Sequence, residues 1–169
     1  QTAPRICVDA TGISIVGESI SSFTAGSTTA VNAASNSIIA LSSDKHVFLC
    51  RYSLTGVVNW VKEAYTSGTG NDAVGTVASD GFKIYVSLLG ASATLNWING
   101  GVSLTPFTTH TSGGVGDQFL TAFDINGSHL WTNSISDPTA DSHGTLAIAT
   151  GCDAVYITGE VGPGAQFAN

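Results

Sequence analysis

Apolar residues in this chain recur in short alternating runs and not at helical spacing. Residues 47–53 alternate and run into Leu54-Thr55-Gly56, and residues 118–123 run into Asp124-Ile125-Asn126-Gly127. Asn-Gly is a strong hairpin signal, and it predicts a type I′ turn with positive φ at both residues. The return strands are expected at 57–63 and 128–135, each carrying a tryptophan, Trp60 and Trp131. Polar loops at 66–72 and 137–143 follow, then strand pairs at 73–79 with 83–88 and at 145–150 with 154–160. The Ala/Ser/Asn-rich stretch 30–39 has no apolar stripe and could hold one helical turn at most. Many short strands punctuated by turn signals predict an all-β chain.

The runs are self-similar at an offset of 71 residues. Placing 46–98 over 117–169 sets Phe48-Leu49 on Phe119-Leu120, Tyr52 on Phe123, Gly56 on Gly127 and Trp60 on Trp131. Val77-Ala78 then falls on Ile148-Ala149, and Ile84-Tyr85-Val86 on Val155-Tyr156-Ile157. The amino-terminal part continues the offset, with Ile6 on Val77, Asp9 on Asp80, and Ile13 and Ile15 on Ile84 and Val86. This divides the chain into a partial unit, 1–27, and two full units, 28–98 and 99–169. The expected architecture is antiparallel β-sheet blades in tandem repeats of about 71 residues, partial or completed by oligomerisation into something like a β-propeller.

At these residues the chain resembles the bacterial SBBP-type β-propeller repeats. The pieces that carry the likeness are Phe48-Leu49, Tyr52, Gly56, Trp60, Gly70-Asn71-Asp72 and Ile84-Tyr85-Val86. In the later copy they are Phe119-Leu120, Phe123-Asp124, Gly127, Trp131 and Val155-Tyr156-Ile157-Thr158-Gly159. The chain departs from that pattern where Asp141-Ser142-His143 replaces the Gly-Asn-Asp loop, at Leu88, and in its longer period. The resemblance implies a propeller-type blade and an extracellular setting. It implies no reaction, because fold does not fix function.

Composition narrows the partners. Only 10% of the 169 residues are charged, and 5 Lys and Arg face 12 Asp and Glu for a net charge of −7. An acidic, lysine-poor surface disfavours nucleic acid, which needs a basic footprint. No apolar run approaches the roughly 18 residues that span a bilayer, so membrane insertion is not expected. Gln1 and the absence of Met fit a chain freed of its leader, and with the Ser/Thr/Gly-rich surface they point to the cell exterior or surface. Three cysteines, Cys7, Cys50 and Cys152, lack metal-ligand spacing. They read as small buried apolar residues, or as one disulfide, Cys7 with Cys152, plus a free thiol.

Chemistry is thin. The nucleophile elbow, the phosphate loop and the His-Glu-x-x-His motif are all absent. His46, His110, His129 and His143 are scattered. Glu18 with Glu160, and Asp9 with Asp80, hold equivalent repeat positions and could ring a channel, or simply end strands. The Asp124 turn opens like a calcium loop but lacks the Glu at its twelfth position, and Asp72, Asp137 and Asp141 leave only a weak possibility of calcium. No other cofactor and no catalytic residue is expected. Trp97 stands apart, because its counterpart at the constant offset is Ala168 and it is flanked by Asn96 and Asn99. It is the candidate ligand or subunit contact, or else a core residue beside Phe107. The expected role is a non-catalytic, self-associating surface protein: a filament, appendage or adhesin subunit or segment. The alternative is a lectin that closes a ring by oligomerising and binds surface glycans.

Overall fold

The computed structural model describes residues 3–25, 37–38, 45–67, 70, 72–100, 105–112, 116–136, 147–151, 154–161 and 163–168. The described residues are all-β and contain no helix, hence none long and apolar enough to cross a membrane. The strands are β1 (Arg5–Asp9), β2 (Gly12–Ser19), β3 (Phe23–Thr24), β4 (Ser37–Ile38), β5 (His46–Tyr52), β6 (Val58–Thr66), β7 (Ala73–Ser79) and β8 (Lys83–Leu89). They continue as β9 (Thr94–Asn99), β10 (Thr108–Thr111), β11 (Gln118–Asp124), β12 (His129–Ser136), β13 (Ala147–Thr150), β14 (Val155–Thr158) and β15 (Gln166–Ala168). The expected strands lie within a few residues of these. No strand is expected over β3, β4, β9, β10 or β15, and most of the possible helical turn at 30–39 lies outside the described residues, with β4 extended within it.

All sheets are antiparallel. Sheet 1 runs β1-β2-β5-β6-β9-β10, sheet 2 runs β15-β12-β11-β8-β7, and β13-β14 and β3-β4 form two-stranded ribbons. The pairings share a register. Ile15 pairs with Cys50 in sheet 1, and 71 residues later Val86 pairs with Thr121 in sheet 2. Ile6↔Ile15, Val77↔Val86 and Ile148↔Ile157 are likewise three pairs at that spacing. The register slips where the last strand joins. Ala64 pairs with Trp97, whereas Ile135 pairs with Phe167, so the pairing counterpart of Trp97 is Phe167 and not Ala168.

Both hairpin turns use one geometry. Gly56 N–H donates to Ser53 O and Ser53 N–H to Val57 O; Gly127 N–H donates to Asp124 O and Asp124 N–H to Ser128 O. Gly56 and Gly127 have φ of 83° and 85°, and among the described residues no non-glycine residue has positive φ. The expected type I′ turn at Asn126 is therefore replaced by a tight turn with glycine in the left-handed region. A register shift, between Arg51 and Tyr52 and between Ala122 and Phe123, absorbs the extra residue.

Because side chains alternate across a strand, each sheet has two faces. The front of sheet 1 (Val16, Val47, Leu49, Ala64, Leu95, Trp97) packs on the back of sheet 2 (Val77, Ile84, Val86, Leu88, Phe119, Phe123). The front of sheet 2 (Tyr85, Leu120, Ala122, Trp131) packs on the back of β13-β14 (Ile148, Val155, Ile157). At both junctions the first strand of one sheet lies over the first two of its predecessor: β7 over β1 and β2, then β13 over β7 and β8.

Candidate functional site

The deepest polar feature is a pin between sheets 1 and 2. Arg51 stands among apolar residues on β5 and reaches across to the β1-β2 turn. Its guanidinium donates to Asp9 Oδ1 at 2.7 Å, to Thr11 Oγ1 at 2.6 Å and to Ser14 Oγ at 2.9 Å. Ser79 of sheet 2 donates to Asp9 Oδ2, so the pin crosses the junction. Burial alone would raise the Asp9 carboxyl, but the hydrogen bonds from Arg51, Ser79 and Thr11 hold it well below the carboxylate range.

A second polar cluster closes the other end of the sheets. Lys45 Nζ meets Glu18 Oε2 at 3.1 Å, and Glu18 Oε1 accepts from the Val74 amide. His46 Nδ1 lies 2.7 Å from Glu63 Oε1 and its ring stacks on Tyr65. Asp72 accepts from the amide and hydroxyl of Thr66 and from the Ala91 amide; burial, outweighing those bonds, raises its carboxyl. These carboxylates are engaged in linking strands. Glu18, Ser19, Ile20, Ser21 and Lys45 line a cavity of about 350 Å³ at this end. Among the described residues no three His, Cys, Asp or Glu side chains are grouped to hold a metal ion.

The residues singled out from sequence fall as follows. Trp97 is 1% exposed and lies in the core between the sheets, edge-on to Phe123 at 5.0 Å, with its Nε1 donating to Thr121 Oγ1. It offers no ring face to a ligand. Phe107 packs on the same Phe123, as expected for a shared cluster. Asn96 is buried and accepts from Thr109; Asn99 is exposed and accepts from Lys62, whose ammonium also sits 4.9 Å from the Phe107 ring. Glu18 is buried and Glu160 exposed, so this pair does not share one surroundings. Asp124 Oδ1 accepts from the amides of Asn126 and Ser128 within its own turn. His110 and His129 are half-buried on sheets 1 and 2, and desolvation lowers both. Asp137, Asp141 and His143 lie outside the described residues, as does Cys152. Cys7 and Cys50 are free thiols, and the expected Cys7–Cys152 pairing involves a residue outside the described ones; burial pushes the Cys50 thiol up to about 12.

What sequence reasoning missed is the surface at the two ends of the stack. On the back of β1-β2, Ile6 and Val8 are 64% and 61% exposed, and they pair with the half-buried Ile15 and Ile13. Further along that back face Cys50 and Val61 are buried with Ala25, the Phe48 ring lies over Gly17, and Tyr52 and Val58 are half-buried. On the front of β13-β14, Tyr156 is 63% exposed. On the opposite face of β14, Ile135, Ile157, Val161 and Phe167 line a cavity of about 240 Å³ at the junction with sheet 2. The signal was available. Tyr85 and Tyr156 align, as do Ile6 and Val77, yet one member of each pair is buried and the other bare.

No protein-family model matches this chain, and no curated protein matches it.

Proposed function

We propose that this chain is a non-catalytic, self-associating structural protein of the cell exterior, built from tandem blade-like units of about 71 residues in the manner of a β-propeller. The observation that carries the reading is the pair of open apolar faces: the residue pattern buried at the internal junctions recurs, uncovered, at both ends of the stack. The common register of sheet 1, sheet 2 and β13-β14 supports the tandem-unit part, and so does the way each first strand overlies its predecessor. Contiguous exposed apolar surface on a soluble chain marks an interaction site. A sheet stack whose ends differ associates heterologously, which yields rings or filaments. The glycan-binding alternative loses its stacking residue, since Trp97 is enclosed.

The test is the mass of the native particle, by light scattering with negative-stain imaging of the same sample. The reading expects particles well above the 17.2 kDa of one chain. A monomer across the whole concentration range overturns it.

A further inference from the structure

We infer that the back of β1-β2 in one molecule docks on the front of β13-β14 in a second copy, making a directional junction that repeats the internal one. This deepens the self-association reading and rests on it. Inside the chain, the front of β7-β8 presents Thr76, Ala78, Tyr85 and Ser87, and β13-β14 covers it with Ile148, Thr150, Val155 and Ile157. At the same pairing positions the front of β13-β14 presents Ala147, Ala149, Tyr156 and Thr158. The back of β1-β2 offers Ile6, Val8, Ile13 and Ile15. Alanine meets alanine, tyrosine meets tyrosine and a hydroxyl meets a hydroxyl at three positions, and alanine replaces threonine at the fourth; on the covering side isoleucine or valine stands at three of four positions and valine replaces threonine at the fourth.

Burial changes as this scheme requires. Tyr85 is 4% exposed under its cover and Tyr156 is 63% exposed without one. Val77 is 6% exposed on the back of sheet 2, and Ile6 at the equivalent place is 64% exposed. The open strands are two on each side: Ile6 and Val8 are exposed on the edge strand β1 beside β2, and β13-β14 has two strands. Among the described residues neither face carries a charged side chain, so desolvation on contact is cheap. One internal contact has no equivalent: Thr150 Oγ1 donates to Ser79 O, and Val8 stands where that hydroxyl would be. The junction between copies is therefore apolar, and salt should affect it little.

The experiment uses the full chain with two exposed single substitutions, Val8→Asp on the back and Tyr156→Asp on the front, each checked for an unchanged β-sheet spectrum. Sedimentation velocity is run on wild type, on each variant, and on their equimolar mixture. Wild type should assemble, and each variant alone should associate about tenfold or more weakly, because a buried unpaired carboxylate is costly. The mixture should give a one-to-one dimer and nothing larger, since it holds one intact front and one intact back. A wild-type monomer overturns this junction and the self-association reading together; the faces then serve some other partner. Wild-type assembly that both variants retain overturns the junction and leaves self-association standing. Loss of assembly in Val8→Asp alone, with no dimer in the mixture, overturns it in favour of a symmetric back-to-back contact.

Discussion

The junction between sheets 1 and 2 and the junction between sheet 2 and β13-β14 are laid out on one pairing register, yet they are filled differently. The first is wide and encloses large rings: Trp97 and Phe123 are both buried there. It also buries an ion pair, Arg51 with Asp9. The second is two strands wide. At the place of Arg51 it has Ala122, and at the place of Ser14 it has Tyr85, whose hydroxyl donates to Asp80 Oδ2 at 2.8 Å. Its apolar cover, Ile148, Val155 and Ile157, is only half-buried. The difference teaches that alternation and turn length set the register, whereas the number of strands decides how much water is excluded. Excluding water from a charge pair is costly unless hydrogen bonds replace it, and in the wide junction Ser14, Thr11 and Ser79 supply them to Arg51 and Asp9.

The sharpest way to break the comparison is to hollow each junction in turn. Phe123→Ala removes the ring that touches Trp97, Trp60 and Phe107, and should cost about 4 kcal/mol in denaturant unfolding. Ile157→Ala, half-exposed already, should cost about 1 kcal/mol. Equal losses would mean that the two junctions are equally dry.

Next comes the pin. Arg51→Ala leaves Asp9 against sheet 2 without its cation and should cost about 3 kcal/mol. The pH dependence follows from the sign of the shift. Asp9 is depressed in the folded state, so its contribution is fully present above the ordinary carboxyl pKa of about 4 and is lost as pH falls toward 2. Asp72 is shifted up by burial, so its effect has the opposite sign and falls above the ordinary carboxyl range. Unfolding midpoints between pH 2 and 6 should show an acid limb in wild type, and Asp9→Asn should flatten it. An unchanged limb in that variant would assign acid sensitivity elsewhere.

The turns isolate a single ring. Gly56 and Gly127 share φ near +84°, so alanine at either position is strained by about 1 kcal/mol. A Cβ at Gly56 meets nothing within 4 Å, whereas at Gly127 it comes 2.9 Å from the Trp60 ring of the facing sheet. Gly127→Ala should therefore cost about 1 kcal/mol more than Gly56→Ala. The same thermal melt reads both.

The sequence made the all-β class, most strands and both turns legible, because alternation and glycine act locally. The type I′ expectation failed at Asn126 because Asp124 accepts the Asn126 and Ser128 amides and favours a turn closed by glycine alone. β10 was invisible, since Thr108–Thr111 is an edge strand with no apolar alternation. The burial of Trp97, the core alternative beside Phe107, was hard to read because a constant offset does not see the one-residue slip at β15, and because its flanking amides said nothing of which face the ring takes. The Arg51–Asp9 pair joins residues 42 apart, although a lone arginine in an apolar strand was a visible hint. The open faces were the least legible. Identical residue types are buried or bare according to whether a sheet follows, and composition cannot carry that.

The smallest effect tests that last point within one residue type. Tyr85 is buried, its hydroxyl bonded to Asp80, and burial first and then this bond push it up to about 12. Tyr85→Phe removes the donor from a partly enclosed carboxylate and should cost about 1 kcal/mol. Tyr156 occupies the equivalent pairing position, but Gly151 stands where Asp80 would be, and a Cβ there would come 2.9 Å from the Tyr156 ring. Tyr156→Phe should leave monomer stability unchanged, because it removes a hydroxyl that faces water and not a buried partner. A loss at Tyr156 equal to that at Tyr85 would mean that the front of β13-β14 is already covered within the molecule. The two junctions would then differ in composition alone and not in access to a further copy.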